Sequence, residues 1–197
     1  AVKSLKPSVK VIGVEAANRG NTIADGIAVK KPGVLTGSIL DKYLDDIVQV
    51  DDEEVAATIL LLMERVKVIA EGAGAAPVAA AIYKKVPTEG KKAVCIVSGG
   101  NIDVNFVAQI IHRGMLKNGR YLEVSALLPD KPGSLRNYLD IIAQAKGNVV
   151  SVNHDRNRAD IHLNMVCVSV LVETQGFEHS QAIIEALEKK GIEAVTN

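Results

Sequence analysis

The sequence predicts an α/β protein made of two units with different patterning. Strand-like and helix-like segments alternate over residues 1–118, the succession expected of a parallel sheet with crossover helices. Over residues 119–197 the order becomes strand, helix, strand, strand, helix, strand. Between them Lys117-Asn118-Gly119-Arg120 is polar and contains a glycine, which marks a boundary. The expected domains are therefore 1–118 and 119–197.

The first unit opens with Ala-Val-Lys-Ser-Leu-Lys-Pro, which reads as the end of a helix running into a loop at Pro7. It lacks an initiator Met, and the chain is expected to be the later part of a longer protein. Val9–Val14 is a β-branched run ending at Glu15, and Asp46–Val50 is a second. Asp51-Asp52-Glu53-Glu54 follows, with negative charge where a helix N-terminus favours it and Asp51 or Asp52 as the N-cap. Val55, Ile59, Leu62 and Met63 then recur at helical spacing towards Arg65. A second helix is expected after Gly74, with Pro77 in its first turn and alanines as far as Lys85. Ala93–Val97 is wholly apolar, as in strands buried on both faces of a parallel sheet. A helix over 102–116 closes the unit.

In the second unit Tyr121–Leu128 reads as a strand and Ser134–Ala145 as a helix ended at Gly147. Val149–Asn153 and Ile161–Glu173 pair across a polar turn, Phe177–Lys190 is helical, and Ile192–Val195 is the last strand. This is the ferredoxin-like βαββαβ order. The long strand is apolar on both sides: Val166, Val168, Val170 and Val172 on one, Met165, Cys167 and Leu171 on the other. Two helices cover one face of a four-stranded sheet. We take the strip of valines as the face that a second copy, or the first unit, must cover.

Composition narrows the function classes. Apolar residues make up 48% of the 197, enough for a sizeable core, and with two Phe, four Tyr and no Trp that core is aliphatic. Twenty-three basic and 23 acidic residues are dispersed to zero net charge, which argues against nucleic acid or an anionic membrane as partner. No apolar run approaches the roughly 20 residues of a spanning helix and no signal peptide is visible, so the protein is expected to be cytoplasmic. Cys95 and Cys167 lie in apolar runs and read as small buried hydrophobes. His154 and His162 flank the hairpin turn without further metal ligands, and His112 and His179 are expected to be solvated on helices.

Three segments carry candidate chemistry. Val97-Ser98-Gly99-Gly100-Asn101 sets a hydroxyl and two glycines after an expected strand, where ligands of open α/β sheets bind, but it reads equally as a tight turn. Glu71-Gly72-Ala73-Gly74-Ala75 puts a carboxylate and glycines at a helix start, where a cap is the plainer reading. Thr22-Ile23-Ala24-Asp25-Gly26-Ile27-Ala28-Val29 leads through a turn-rich stretch to Pro32-Gly33 and alone reads as a loop.

Taken in order, these three motifs resemble the second half of the threonine dehydratases and their serine racemase and serine dehydratase relatives, which are fold-type II pyridoxal-phosphate enzymes. The resemblance covers about residues 1–116. Leu128-Pro129-Asp130-Lys131-Pro132-Gly133-Ser134-Leu135, with Gly147-Asn148-Val149-Val150, resembles the signatures of ACT domains, small-molecule sensors attached to amino-acid enzymes. The resemblance implies a β-elimination of water from threonine, giving 2-oxobutanoate and ammonia. Ser98 would hydrogen-bond the pyridine nitrogen of pyridoxal phosphate. A neutral hydroxyl does not hold a proton on that nitrogen, so the ring is a weaker electron sink and elimination is favoured over transamination. Gly26, Gly72 and Gly74 would line the cofactor and Glu71 would lie near its ring.

The family's cofactor-bearing lysine, its ring-contacting asparagine and its phosphate loop precede these motifs and are absent, so no residue here is assigned as catalytic. Relatives have a longer connection where only Ala16–Asn21 follows Glu15; we read this as an omitted loop rather than a deletion. Relatives often hold a cation beside the residue matching Glu15, making it a candidate ligand. Asp130, Gly133, Ser134 and Leu135, with Asn148 nearby, are the candidate effector site for an amino acid or nucleotide. The bland reading of that loop is a helix N-terminus capped by Asp130 or Ser134. A homo-oligomer, dimer or tetramer, is expected. A single sensor unit leans away from the isoleucine-inhibited type of isoleucine biosynthesis. The alternative reading is a non-catalytic regulatory or dimerisation fragment.

Overall fold

The computed structural model describes residues 1–31 and 33–196; Pro32, where the sequence places a turn, lies outside the described residues. Contacts divide the chain into units of residues 1–111 and 112–197. No helix of the described residues is long and apolar enough to cross a membrane.

The first unit runs α1 (Val2–Leu5), β1 (Ile12–Ala16), a 3₁₀ turn (Asp25–Ile27), α2 (Val34–Tyr43), β2 (Asp46–Val50), α3 (Asp52–Val66) and α4 (Gly72–Ile82), and ends within α5 (Val104–Lys117). β1 and β2 pair in parallel from Ile12 opposite Asp46 to Ala16 opposite Val50. Asp51 caps α3 reciprocally: its carboxylate accepts from the Glu54 N–H at 2.8 Å, and Glu54 accepts from the Asp51 N–H at 3.0 Å. Val50, Val55 and Ile59 are buried against the Ala75, Ala76, Ala79 and Ala80 face of α4, where missing side chains allow close helix packing.

Three expectations for this unit change. α4 begins at Gly72, so Pro77 stands inside the helix rather than in its first turn. The bond its missing N–H would make to Ala73 is forgone. Residues 34–43 form a helix that the sequence pattern did not single out, because Gly37 interrupts it and none of its residues is buried. Residues 93–97 form no strand, and Val94 and Ile96 are 90% and 72% exposed. A buried parallel strand needs neighbours on both edges, and the sheet of this unit has two strands, β1 and β2.

The second unit continues with β3 (Tyr121–Pro129), α6 (Ser134–Gln144), β4 (Asn148–Asp155), β5 (Met165–Glu173), α7 (Phe177–Glu188) and β6 (Ala194–Thr196). The sheet order is β4-β5-β3-β6, and every pair is antiparallel. That is the order a split βαβ arrangement requires. β5 starts at Met165 rather than Ile161, after a turn in which the Met165 N–H donates to the His162 carbonyl at 2.9 Å.

The valine strip is the reverse of the expectation. Val166, Val168, Val170 and Val172 are 0–1% exposed and pack with Tyr138, Ile142, Ile183 and Leu187 of the two helices. Each contributes about 1.5–3 kcal/mol relative to exposure. The helix-free face carries Met165, Cys167, Ser169 and Leu171, with Leu127 opposite Cys167 and Ser125 opposite Ser169; Leu127 is exposed, and Ser125 and Ser169 bond at 2.8 Å. Alternation told the two faces apart without telling which one the helices take.

Candidate functional site

The first candidate site gathers around the loop Ser98-Gly99-Gly100-Asn101. Glu71, the N-cap residue of α4, donates its N–H to the Gly99 carbonyl at 3.1 Å. Its carboxylate makes no capping bond to its own helix. Instead Oε2 accepts from the Asn101 N–H at 3.2 Å. The cap reading of Glu71 therefore holds for the backbone and not for the side chain.

The glycines explain how closely these segments approach. A Cβ on Gly74 would lie 2.7 Å from the Gly99 carbonyl oxygen, and one on Gly99 would collide with Glu71 Oε1. A Cβ on Gly100 would stand 2.7 Å from the Ile69 carbonyl oxygen. Gly72 admits the 22–29 loop: its Cβ would meet the Ile23 carbonyl oxygen at 2.6 Å and Ala24 Cα at 2.7 Å. Gly26 is exposed, with Ala73 Cβ 3.2 Å and Glu71 Oε1 3.8 Å from where its Cβ would be. The structure thus brings Ser98, Glu71, Gly26, Gly72 and Gly74 into one neighbourhood. Gly72 and Gly74 turn their bare faces to protein backbone.

A cleft of about 430 Å³ is lined by Thr22, Asp25, Asp52, Glu71, Gly72 and Asn101 among others; of the five predicted residues it takes in Glu71 and Gly72, and Ser98, Gly26 and Gly74 do not line it. Sequence reading took Asp52 only as a candidate cap and passed over Asp103. Asp52 accepts from Thr22 Oγ1 and, at 3.2 Å, from the Ile23 N–H, fixing the loop to the start of α3. Asp103 accepts from the Asn105 N–H at 2.7 Å and caps α5. Ser98 is exposed, and its hydroxyl has no protein hydrogen-bond partner among the described residues.

Glu15 stands on β1, one carboxylate oxygen accepting from Gln49 at 2.7 Å and the other from Arg19. The Gln49 hydrogen bond is the main reason its pKa falls below the usual value, aided by Arg19 and opposed by partial burial. No cluster of three metal-ligating side chains occurs among the described residues.

The second candidate site is a cleft of about 460 Å³ lined by Asp130, Gly133, Ser134 and Leu135, together with His154 and Arg156. Arg156 pairs with the Asp130 carboxylate at 3.0 Å. α6 is capped by neither Asp130 nor Ser134: its N-cap is Gly133, at φ +92°. That left-handed backbone suits glycine. Asn148 is not brought to this cleft. It pairs with Glu173 at the far end of β5, its amide donating to the Glu173 carboxylate at 3.1 Å.

His179 is not solvated as expected. Its Nδ1 accepts from the Gln175 N–H at 3.1 Å and its Nε2 meets the Ala145 carbonyl at 2.8 Å, joining α7 to the end of α6. Cys95 and Cys167 are both free thiols, Cys167 buried.

The loop at Ser98 thus combines two glycines and a hydroxyl without a protein partner with a nearby carboxylate, in an α/β unit. Residues 1–99 match the family described as "Pyridoxal-phosphate dependent enzyme", and the chain belongs to that family. It is 42% identical over 98% of its length to an L-threonine ammonia-lyase of Thermotoga maritima. It is 40% identical over 97% to one of Geobacter sulfurreducens. The chain spans about half the length of these curated relatives, 52% of each. Among solved structures, the processed form of threonine deaminase isoform 2 from Solanum lycopersicum is 25% identical. It matches with a TM-score of 0.52 over 58% of this chain and 37% of that one.

The residues present fit the ring end of pyridoxal phosphate. Ser98 offers a neutral, unpartnered hydroxyl, while the two glycines after it turn their bare faces to the Glu71 carboxylate and the Ile69 carbonyl and so let the loop pack closely.

Proposed function

We propose that this chain forms the later half of a cytoplasmic, pyridoxal-phosphate-dependent threonine ammonia-lyase. The reaction is L-threonine to 2-oxobutanoate and ammonia by β-elimination of water. The identities to proteins of that name along nearly the whole chain support the reading. The observation that carries it is the Ser98 hydroxyl, unpartnered on a loop that Glu71 and Gly74 hold in place. When bound, the cofactor draws electrons from the substrate α-carbon and so acidifies its proton. Ser98 would meet the pyridine nitrogen as a neutral partner, without fixing a proton there. Gly26 would border the ring, Glu71 would lie near it without touching it, and Gly72 and Gly74 would set the backbone spacing that makes room for it. By the resemblance, the lysine and phosphate anchor would lie in the part of the relatives that this chain does not span.

Residues 119–197 are proposed to be an ACT-like regulatory unit. The βαββαβ topology and the cleft at Asp130, Gly133, Ser134 and Leu135 support this. Its ligand would be an amino acid or a nucleotide. The helix-free face with Leu127 and Leu171 would pair two copies into a homo-oligomer. Asn148, remote from the cleft of its own chain, would enter an effector site only from a second copy.

Replacement of Ser98 in the full-length enzyme tests the catalytic assignment. Ser98→Ala should weaken cofactor binding by about 0.5–1.5 kcal/mol, the worth of one neutral hydrogen bond. Ser98→Asp should hold a proton on the ring nitrogen and divert turnover from elimination to side reactions. Unchanged rates and product ratios in both variants would remove Ser98 from the ring.

A further inference from the structure

We propose that Glu71 is the positioning residue for Ser98, a role that rests on the reading of Ser98 as the partner of the cofactor ring. Glu71 grips the Ser98–Asn101 loop at three points. Its N–H donates to the Gly99 carbonyl at 3.1 Å, and its Oε2 accepts from the Asn101 N–H at 3.2 Å. Its Oε1 fills the space a Gly99 side chain would need. A carboxylate at an N-cap ordinarily bonds the free N–H groups of its own first turn. This one makes no such bond and is turned to the loop instead.

The other close approaches to the loop are made by backbone. Gly74 lies against the Gly99 carbonyl, and the Ile69 carbonyl lies against Gly100. These contacts limit how far the loop moves inward but do not tie it. Glu71 is the side chain that hydrogen-bonds it among the described residues. The same carboxylate reaches towards Gly26 and lines the cleft of about 430 Å³. One residue therefore joins the start of α4 to the segment that presents the hydroxyl. Glu71 acts on the cofactor through Ser98.

The test is a set of cofactor titrations on the full-length holoenzyme, followed by absorbance and fluorescence of bound pyridoxal phosphate. Ser98→Ala and Glu71→Ala are each expected to weaken binding about two- to tenfold and to shift the cofactor spectrum in the same direction. Because Glu71 works through Ser98, the Ser98→Ala/Glu71→Ala double variant should bind no more weakly than Ser98→Ala alone. Gly99→Ala should weaken binding on its own and add little to Glu71→Ala, whose shortened side chain no longer meets the new methyl. Amide exchange at Gly99–Asn101 should quicken in Glu71→Ala. If that variant does not fold, Glu71→Gln, which keeps an acceptor for Asn101, carries the same comparison with a smaller effect.

Losses that multiply in the Ser98/Glu71 double variant, or wild-type affinity and spectrum in Glu71→Ala while Ser98→Ala is impaired, would overturn the positioning role and leave the Ser98 assignment standing. Wild-type affinity and spectrum in Ser98→Ala would overturn both.

Discussion

Replacing Gly74 by alanine sets two effects of similar size against each other. Alanine in place of glycine favours a helix interior by up to about 1 kcal/mol, and Gly74 is the third residue of α4. The added methyl, however, would lie 2.7 Å from the Gly99 carbonyl oxygen. Restoring an ordinary contact of 3.4 Å requires the loop to retreat by about 0.7 Å. That retreat would stretch the 3.1 Å bond from the Glu71 N–H towards about 3.8 Å, beyond hydrogen-bond range. Overpacking costs about 1–3 kcal/mol and the lost bond about 0.5–1.5 kcal/mol. The clash therefore wins, and a net destabilisation of about 1–3 kcal/mol is expected. Denaturant unfolding of Gly74→Ala should show a lower midpoint with an unchanged slope, and cofactor affinity should fall with it. A variant as stable as wild type with normal cofactor affinity would refute the packing of α4 on the Ser98 loop.

Other outcomes follow from the same structure. Val168→Asp, at a fully buried position, should unfold residues 112–197, whereas Leu127→Asp on the helix-free face should stay folded and sediment as a smaller species. Dichroism and sedimentation of the two variants check this, and a folded Val168→Asp would contradict the assignment of faces. The folded pKa of Glu15 is depressed, first by Gln49, so its contribution is present above the usual carboxylate range and lost as pH falls through the folded value. Glu15→Gln should accordingly be less stable than wild type at neutral pH and match it in acid; a gap that persists at low pH would count against the tie. Incubated with threonine and pyridoxal phosphate, this chain alone should yield no 2-oxobutanoate beyond the free-cofactor background, because it holds no lysine assigned to the cofactor.

Much of this architecture was legible from residue patterns. Asp46–Val50 was read with its observed bounds, and of the two N-cap candidates for α3, Asp51 and Asp52, the structure takes Asp51. The βαββαβ order led to the observed sheet order because few ways of pairing such elements avoid crossed connections. What escaped depends on partners distant in sequence. The run at 93–97 has the composition of a buried strand but no neighbouring strand to pair with. Both faces of β5 are apolar, so only the placement of α6 and α7 decides which is the core. The resemblance grouped Ser98, Glu71, Gly26, Gly72 and Gly74, yet what Gly72 and Gly74 admit, and where the Glu71 carboxylate turns, emerged only from the packing of loops onto α4. Asn148 follows a recognisable signature, but β4 carries it to the opposite end of the sheet from Asp130.

The central assignment is tested most directly by the products of the full-length protein with L-threonine and pyridoxal phosphate. Coupled assays of 2-oxobutanoate and ammonia, with chiral analysis of the remaining threonine, separate elimination from racemisation and transamination. The expected result is 2-oxobutanoate and ammonia in equal amounts, with the residual substrate unchanged in configuration and the rate reduced by Ser98→Ala. No keto acid, or keto acid formed without ammonia, would contradict the account.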